Sequence, residues 1–175
     1  MQIEPFALER YFARYEFDAP HLLSPSDSEP YTLPEVLAHA TPEQRHAWDN
    51  LWLGYTESAG STALRAGVAA LYDDPITPEQ VLGVVPEEGI FIAMNTLLTA
   101  GDHVIVTAPG YQSLYSIAAA IGCSVDPWSP NPEGWFFEVD ELESLLTPET
   151  RMIVVNFPHN PTGALPSEDE FRAVC

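Results

Sequence analysis

The residues best suited to ligand chemistry follow an apolar run near the end of the sequence. The run Met152 to Val155 is bounded by turn-forming residues, a pattern typical of a strand buried on both faces of a parallel sheet. The segment Asn-Pro-Thr-Gly at 160–163 follows it, and its proline favours a sharp turn. Open α/β sheets bind ligands at the carboxyl ends of their strands. Asn160, whose amide both donates and accepts hydrogen bonds, is therefore a candidate binding residue.

A second candidate site is the turn between a short apolar run and an apolar helix. The pattern predicts a strand over 81–85 and a helix over 90–98, joined by Pro86-Glu-Glu-Gly89. Backbone N–H groups at the start of a helix are unpaired and attract anions, so those of Glu87 and Glu88 are candidate anion ligands. The alternative is that the two acidic side chains stand there only because the helix dipole favours them. The two interpretations are compatible.

Composition narrows the range of partners. The chain has 175 residues, 46% of them hydrophobic, and a formal net charge of −20. This acidity disfavours binding to nucleic acid and to anionic membranes, and it indicates a solvated surface. No apolar run approaches the ~20 residues of a membrane span, and the charged N-terminus does not resemble a signal peptide. Two distant cysteines provide neither a disulfide framework nor a metal site, so we expect a cytoplasmic protein.

The predicted order of helices and strands around the candidate residues indicates an α/β fold with a mostly parallel sheet. Helices alternate with strands predicted at 81–85, 103–107, 123–128 and 151–157. Capping boxes, in which Ser or Thr is followed three residues later by Glu or Gln, predict helices that begin after Thr32, Thr41 and Ser167. Trp48 and Trp52 are expected to pack in a core. A nucleotide-binding domain would share this order, but no Gly-x-Gly-x-x-Gly segment and no Walker lysine is present.

Four segments of the chain resemble motifs of the class I/II aminotransferases and occur in the same order as in that family. These enzymes use pyridoxal 5′-phosphate (PLP) and have fold type I. The Asn-Pro-Thr-Gly segment at 160–163 is similar to the signature of that family. A second family pattern is Pro-Gly-Asp-x-Val, a strand and then Pro-x-Tyr, and it is matched by Gly101-Asp102, the strand predicted at 103–107 and Pro109-Gly-Tyr111. The stretch that begins at Leu53 resembles the Tyr…Gly…Leu-Arg stretch of the family. The segment 85–89 is similar to the Gly-Ala-Asp-Glu-Gly turn of histidinol-phosphate aminotransferases, with valine and proline in place of glycine and alanine.

The resemblance implies a role for each candidate residue. Asn160 would hydrogen-bond the phenolic oxygen of the cofactor ring, and Tyr111 would stack on its pyridine ring. The backbone of Glu87 and Glu88 would bind the cofactor phosphate. Tyr55 would reach across the interface of a homodimer to the partner's cofactor phosphate, although a packed loop aromatic is an alternative. The implied substrates are an amino acid and a 2-oxo acid.

One residue that the family's chemistry requires is missing. The six basic residues are all arginines, so the chain has no lysine to hold PLP as a Schiff base. The resemblance therefore implies the N-terminal part of a longer enzyme, inactive alone, with the catalytic lysine beyond residue 175. Residues 1–52 would form an N-terminal arm and a small-domain segment, and 53–175 an incomplete PLP-binding large domain. The helix that begins after Ser167 ends within about two turns, which favours a truncated chain.

The resemblance also predicts the sheet and leaves the reaction open. The fold would be a partial three-layer sandwich, with 103–107 between 123–128 and 151–157 and with no ladder partner for 81–85. Three functions fit: a PLP aminotransferase, a lyase or decarboxylase of the same fold type, because related sites serve all of them, and a non-catalytic binding protein if 175 residues are the natural product.

Overall fold

A computed structural model describes residues 2–24, 28–73 and 75–175, which form two compact units. The sheet unit comprises Met1–Leu23 and Val85–Cys175, and the helical unit comprises Ser24–Val84. The predicted division between residues 52 and 53 concerns the whole protein and stays a prediction. None of the helices in the described ranges is long and apolar enough to cross a membrane.

The elements follow the predicted alternation in most of the chain. The helices are α1 (Ala7–Tyr15), α2 (Leu33–Ala38), α3 (Pro42–Asp49), α4 (Thr62–Ala69), α5 (Pro86–Leu97), α6 (Ser113–Ile121), α7 (Val139–Leu145) and α8 (Glu168–Val174). The strands are β1 (His103–Thr107), β2 (Ser124–Trp128) and β3 (Thr150–Val154). The capping boxes at Thr32, Thr41 and Ser167 are confirmed.

The sheet has the order β2-β1-β3, and both pairs of strands are parallel. The predicted central position of 103–107 is confirmed, and all five residues of β1 are buried. Val104 pairs with Val125 on one side and with Met152 on the other. A central parallel strand is covered on both faces, which explains why its sequence is a continuous apolar run.

Two apolar clusters cover the two faces of the sheet and give the predicted three layers. Successive strand residues point to opposite faces, so Val104 and Val106 pack with α5 and α6, whereas Ile105 packs on the opposite side. The second cluster contains Trp128, Phe137 and Leu142 of α7. The fold is therefore an α/β three-layer arrangement around a parallel sheet.

The segment 81–85 does not form the predicted strand, whereas the expectation that it has no ladder partner is confirmed for the described part of the chain. No residue of this segment belongs to the sheet in the described part of the chain. The Val81 N–H donates to the Pro78 carbonyl at 3.3 Å, and the Gly83 N–H donates to the Ala59 carbonyl at 2.8 Å. Leu82 and Val85 are exposed. An extended segment becomes a strand only when a neighbouring strand satisfies its backbone groups.

Two further expectations are corrected by the structure. The helix predicted over 90–98 begins at Pro86, because proline suits the first turn of a helix. Trp48 and Trp52 do not pack in a core, since 44% and 81% of their surfaces are exposed. The helices α2 and α3 bury no residue, so this part of the helical unit forms no apolar interior for either ring.

Hydrogen exchange is expected to distinguish 81–85 from the sheet. The amides of Leu82 and Val84 should exchange faster than those of β1 by orders of magnitude, because exposed segments with few backbone partners open at low cost. Exchange of the purified chain followed by mass spectrometry measures the difference. Protection of 81–85 equal to that of β1 would show that this segment forms a stable ladder in solution.

Candidate cofactor site

The first turn of α5 presents unpaired backbone donors. Val85 precedes the helix, and its carbonyl accepts the first helical hydrogen bond, from the Gly89 N–H at 2.9 Å. The N–H groups of Glu87 and Glu88 therefore have no carbonyl of their own helix to bind. Together with the dipole of a twelve-residue helix, they form a candidate phosphate site. The proline at 86 has no N–H and removes one donor from this turn.

The Glu87 carboxylate is held by groups at the start of α6. The Ser113 hydroxyl donates to Glu87 Oε1 at 3.1 Å, and Ser113 is itself buried. The Tyr111 phenol lies close enough to this carboxylate for the negative charge of Glu87 to raise the pKa of the phenol. These contacts connect the start of α5 to the start of α6. The Ser113 hydroxyl also gives the negative charge of Glu87 a donor outside its own helix N-terminus.

Tyr111 lies in the loop that follows β1 and is half-buried. Its ring centroid is 4.8 Å from that of Phe6, with an interplanar angle of 56°. Its hydroxyl donates to Glu9 Oε1 at 3.4 Å. Burial, followed by the nearby carboxylates of Glu87 and Glu9, raises the pKa of Tyr111 to about 12. The phenol is therefore neutral and remains a hydrogen-bond donor at physiological pH.

Glycine is required immediately before Tyr111. A Cβ atom added to Gly110 would lie 2.8 Å from the Thr107 carbonyl oxygen, closer than side chains approach backbone. Any other residue would push the loop away from the carboxyl end of β1. The small residue thus determines how closely Tyr111 follows the sheet.

Asn160 lies in the loop that follows β3, and this loop is organised by two neighbouring side chains. The Asn160 N–H donates to Asn156 Oδ1 at 3.0 Å. His159 is buried, and its Nδ1 lies 2.7 Å from the Thr162 hydroxyl. Within the described ranges, the Asn160 side chain makes no hydrogen bond and is exposed. Its amide is therefore available to a ligand.

His159 is a residue of the site that sequence reasoning missed. Its ring packs at 4.9 Å against Phe137, and its buried Nε2 has no hydrogen-bond partner within the described residues. Burial lowers its pKa, an effect that the Pro109 carbonyl partly opposes. His159 thus packs the loop after β3 against Phe137, which belongs to the cluster that contains Trp128. The signal in the sequence was a histidine directly before Asn160.

The structure brings some of the predicted site residues together. Glu87 and Tyr111 belong to one cluster. Tyr111 follows β1 and Asn160 follows β3, and because these two strands are parallel neighbours, the loops after them lie at the same edge of the sheet. Tyr55 belongs to the helical unit, where its side chain is fully exposed. Full exposure does not fit the alternative of a packed loop aromatic.

The donor set of these residues fits PLP. Unpaired N–H groups at a helix start suit a phosphate, a half-buried tyrosine ring suits a flat aromatic cofactor, and an exposed amide suits a phenolic oxygen. These three features belong to Glu87 and Glu88, to Tyr111 and to Asn160, respectively. No lysine accompanies them in the 175 residues.

Comparison with known proteins identifies the family. A sequence model of the family described as aminotransferase class I and II matches residues 24–175. Capreomycidine synthase of Streptomyces vinaceus is 38% identical over 119 residues, which are 66% of this chain and 30% of that protein.

Solved structures agree with the sequence comparison. A PLP-dependent aminotransferase from Streptococcus suis is 30% identical with a TM-score of 0.88 and matches 99% of this chain, which covers 48% of that chain. The PLP-dependent cyclase OrfR is also 30% identical, with a TM-score of 0.84 over 99% of this chain and 46% of that one. The chain thus spans less than half the length of each of these proteins. By its sequence and its fold, the chain belongs to the class I and II aminotransferases, a family of PLP-dependent enzymes.

Proposed function

We propose that this chain is the N-terminal part of a transaminase that moves an amino group between an amino acid and a 2-oxo acid. The observation that carries the proposal is the cluster of Tyr111 and Glu87 at the start of α5, with Asn160 at the same edge of the sheet. When bound, PLP supplies an electron sink for reactions at the α-carbon of an amino acid. The residues of this chain supply binding and orientation.

Each residue has a distinct task in this proposal. The N–H groups of Glu87 and Glu88 bind the cofactor phosphate at the positive end of α5. The Tyr111 ring covers one face of the pyridine ring and excludes water from it. The Asn160 amide donates to the phenolic oxygen of the cofactor.

The chain supplies only part of the active site. It has no lysine, so it provides no group for covalent attachment of PLP, and we expect it to be inactive alone. The lysine would come from sequence beyond residue 175. A homodimer in which Tyr55 contacts the partner's cofactor phosphate, and a cytoplasmic location, belong to the same proposal. The fully exposed Tyr55 side chain is consistent with such a contact.

A second candidate function is that of a PLP enzyme that uses the same cofactor-binding residues but catalyses a different reaction. Two of the similar proteins are a capreomycidine synthase and a PLP-dependent cyclase, not transaminases by name. Cofactor-binding residues alone do not select the reaction. The longer protein, incubated with a panel of amino acids and a 2-oxo acid acceptor, distinguishes the two. A transaminase releases the 2-oxo acid of its amino donor, whereas a cyclase or lyase consumes the amino acid without transferring its nitrogen to the acceptor.

Substitutions at Tyr111 and Asn160 test the proposed binding roles in the longer protein. Tyr111→Ala removes the stacking surface, worth about 0.5–1.5 kcal/mol beyond buried area, and PLP affinity should fall by roughly two- to tenfold. Asn160→Ala removes a hydrogen bond of about 1 kcal/mol, with a similar loss. Equilibrium dialysis against PLP measures both.

Tyr115→Ala is the matched control, because Tyr115 follows Tyr111 closely, in the first turn of α6, and is partly exposed. Its replacement should leave PLP affinity unchanged. Unchanged affinity in both the Tyr111 and the Asn160 variants would contradict the assigned roles.

A further inference from the structure

Gln112 joins the N-terminal segment of the chain to the loop that carries Tyr111. The Ala7 N–H donates to Gln112 Oε1 at 2.9 Å. Gln112 Nε2 donates to the Pro5 carbonyl at 3.1 Å. These two bonds connect residues that are 105 and 107 positions apart in sequence. We refer to this pair of hydrogen bonds as the Gln112 clamp.

The clamp gives the start of α1 a hydrogen-bond acceptor from elsewhere in the fold. Ala7 is the first residue of α1, and its N–H has no carbonyl within the helix. Phe6, which precedes it, makes no side-chain cap. Gln112 stands just before α6 but makes no side-chain cap there either. Its side chain is thus committed to the N-terminal segment.

An amide suits both ends of this contact. The Ala7 N–H needs an acceptor and the Pro5 carbonyl needs a donor, and an amide side chain offers both at once. A carboxylate would keep the acceptor but face the Pro5 carbonyl with a second oxygen. A side chain without polar atoms would leave both backbone groups without this partner.

The clamp determines what surrounds Tyr111. Phe6 lies between the two clamped residues, and its ring contacts that of Tyr111 at 4.8 Å. Glu9, in the first turn of α1, accepts the hydrogen bond of the Tyr111 phenol. Two of the contacts that hold the Tyr111 ring therefore come from the segment that Gln112 fixes.

We propose that Gln112 is a positioning residue for Tyr111, and that the N-terminal segment is thereby a working part of the cofactor site. With the clamp closed, Phe6 and Glu9 hold the ring in the orientation in which it receives PLP. With the clamp open, the segment separates from the loop and the ring loses two of its contacts. The inference rests on the proposed function only in the role of Tyr111 toward PLP.

Two substitutions open the clamp in different ways, and a third is a matched control. Gln112→Met preserves the length of the side chain and removes both bonds. Gln112→Glu keeps the acceptor and removes the donor. Gln80→Glu makes the same chemical change where only the acceptor is used, since Gln80 Oε1 accepts from the Thr77 N–H at 2.8 Å in a capping box. Glutamate serves that position equally well.

The first measurements use the 175-residue chain and need no cofactor. Hydrogen exchange of peptides from α1 should become about tenfold faster in Gln112→Met, the factor that a loss of roughly 1.4 kcal/mol gives. Gln112→Glu should show a similar or smaller change. Nitration by tetranitromethane, located by peptide mass spectrometry, should rise at Tyr111 and stay constant at the fully exposed Tyr55. Gln80→Glu should change neither readout.

If the Gln112 substitutions only lowered the stability of the whole chain, the pattern of hydrogen exchange would be different. General destabilisation would accelerate exchange in β1 and β2 together with α1, and this outcome overturns the inference. Unchanged exchange in α1 and unchanged nitration of Tyr111 in both Gln112 variants also overturn it.

The cofactor arm uses the longer protein and its affinity for PLP. Weaker binding in Gln112→Met and Tyr111→Ala, with Gln80→Glu unchanged, supports the inference. Weaker binding in Tyr111→Ala but not in Gln112→Met overturns it and leaves the proposed function standing. If neither variant weakens binding, the role of Tyr111 toward PLP fails, and the inference that rests on it fails with it.

Discussion

Replacing Trp128 with alanine is expected to lower the free energy of unfolding of the sheet unit by about 3–5 kcal/mol. Only 1% of the Trp128 surface is exposed. Its ring contacts those of Phe137 and Phe157, at centroid distances of 4.9 and 6.1 Å, and its Nε1–H donates to the Glu138 carbonyl at 3.0 Å. Alanine would leave a cavity at the end of β2 and remove the side-chain donor of the Glu138 carbonyl.

Trp52→Ala is the control for this prediction. The Trp52 side chain is 81% exposed, and the same deletion there should change stability by no more than about 0.5 kcal/mol. Urea unfolding followed by far-ultraviolet circular dichroism measures both variants without relying on tryptophan fluorescence. Equal effects of the two substitutions would show that the packing around Trp128 does not support the sheet unit.

The chain is also expected to form no Schiff base with PLP once its α-amino group is acetylated. A Schiff base needs a primary amine, and the six basic residues of this chain are all arginines. Borohydride reduction followed by intact-mass spectrometry should therefore find no covalently bound cofactor. The longer protein proposed above, treated in the same way, should carry it in stoichiometric amount.

The unacetylated chain shows at which residue any adduct forms. Any adduct it forms should map to residue 1 by peptide mass spectrometry, because the α-amino group provides the remaining primary amine. Stoichiometric attachment to the acetylated chain would contradict the expectation that the chain is inactive alone.

Much of the fold was predictable because its signals are local. The apolar runs at 103–107, 123–128 and 151–157 mark the three strands, although the third ends at Val154, and the segments between them form α6 and α7. The capping boxes at Thr32, Thr41 and Ser167 depend on residues three positions apart, and all three are present. The loops that carry Tyr111 and Asn160 follow directly from the positions where their strands end.

The tertiary structure decided the features that depend on distant partners. The segment 81–85 has the composition of a strand, and composition does not reveal the neighbours of a segment. Only the family resemblance predicted that this segment would have no ladder partner, and the structure shows that it then forms no strand. The same reason separates Trp52, which is exposed, from Trp128, which is buried.

Within the site, the sequence by itself determined which residue types stand at the ends of the strands and at the start of α5. It did not determine that the Glu87 carboxylate binds Ser113, 26 positions away, or that His159 packs against Phe137. Nor did it indicate that Gln112 holds the backbone on either side of Phe6, more than 100 positions earlier in the chain. Polar side chains choose their partners by direction and distance within the folded chain, and only the packing of the helices on the sheet sets these.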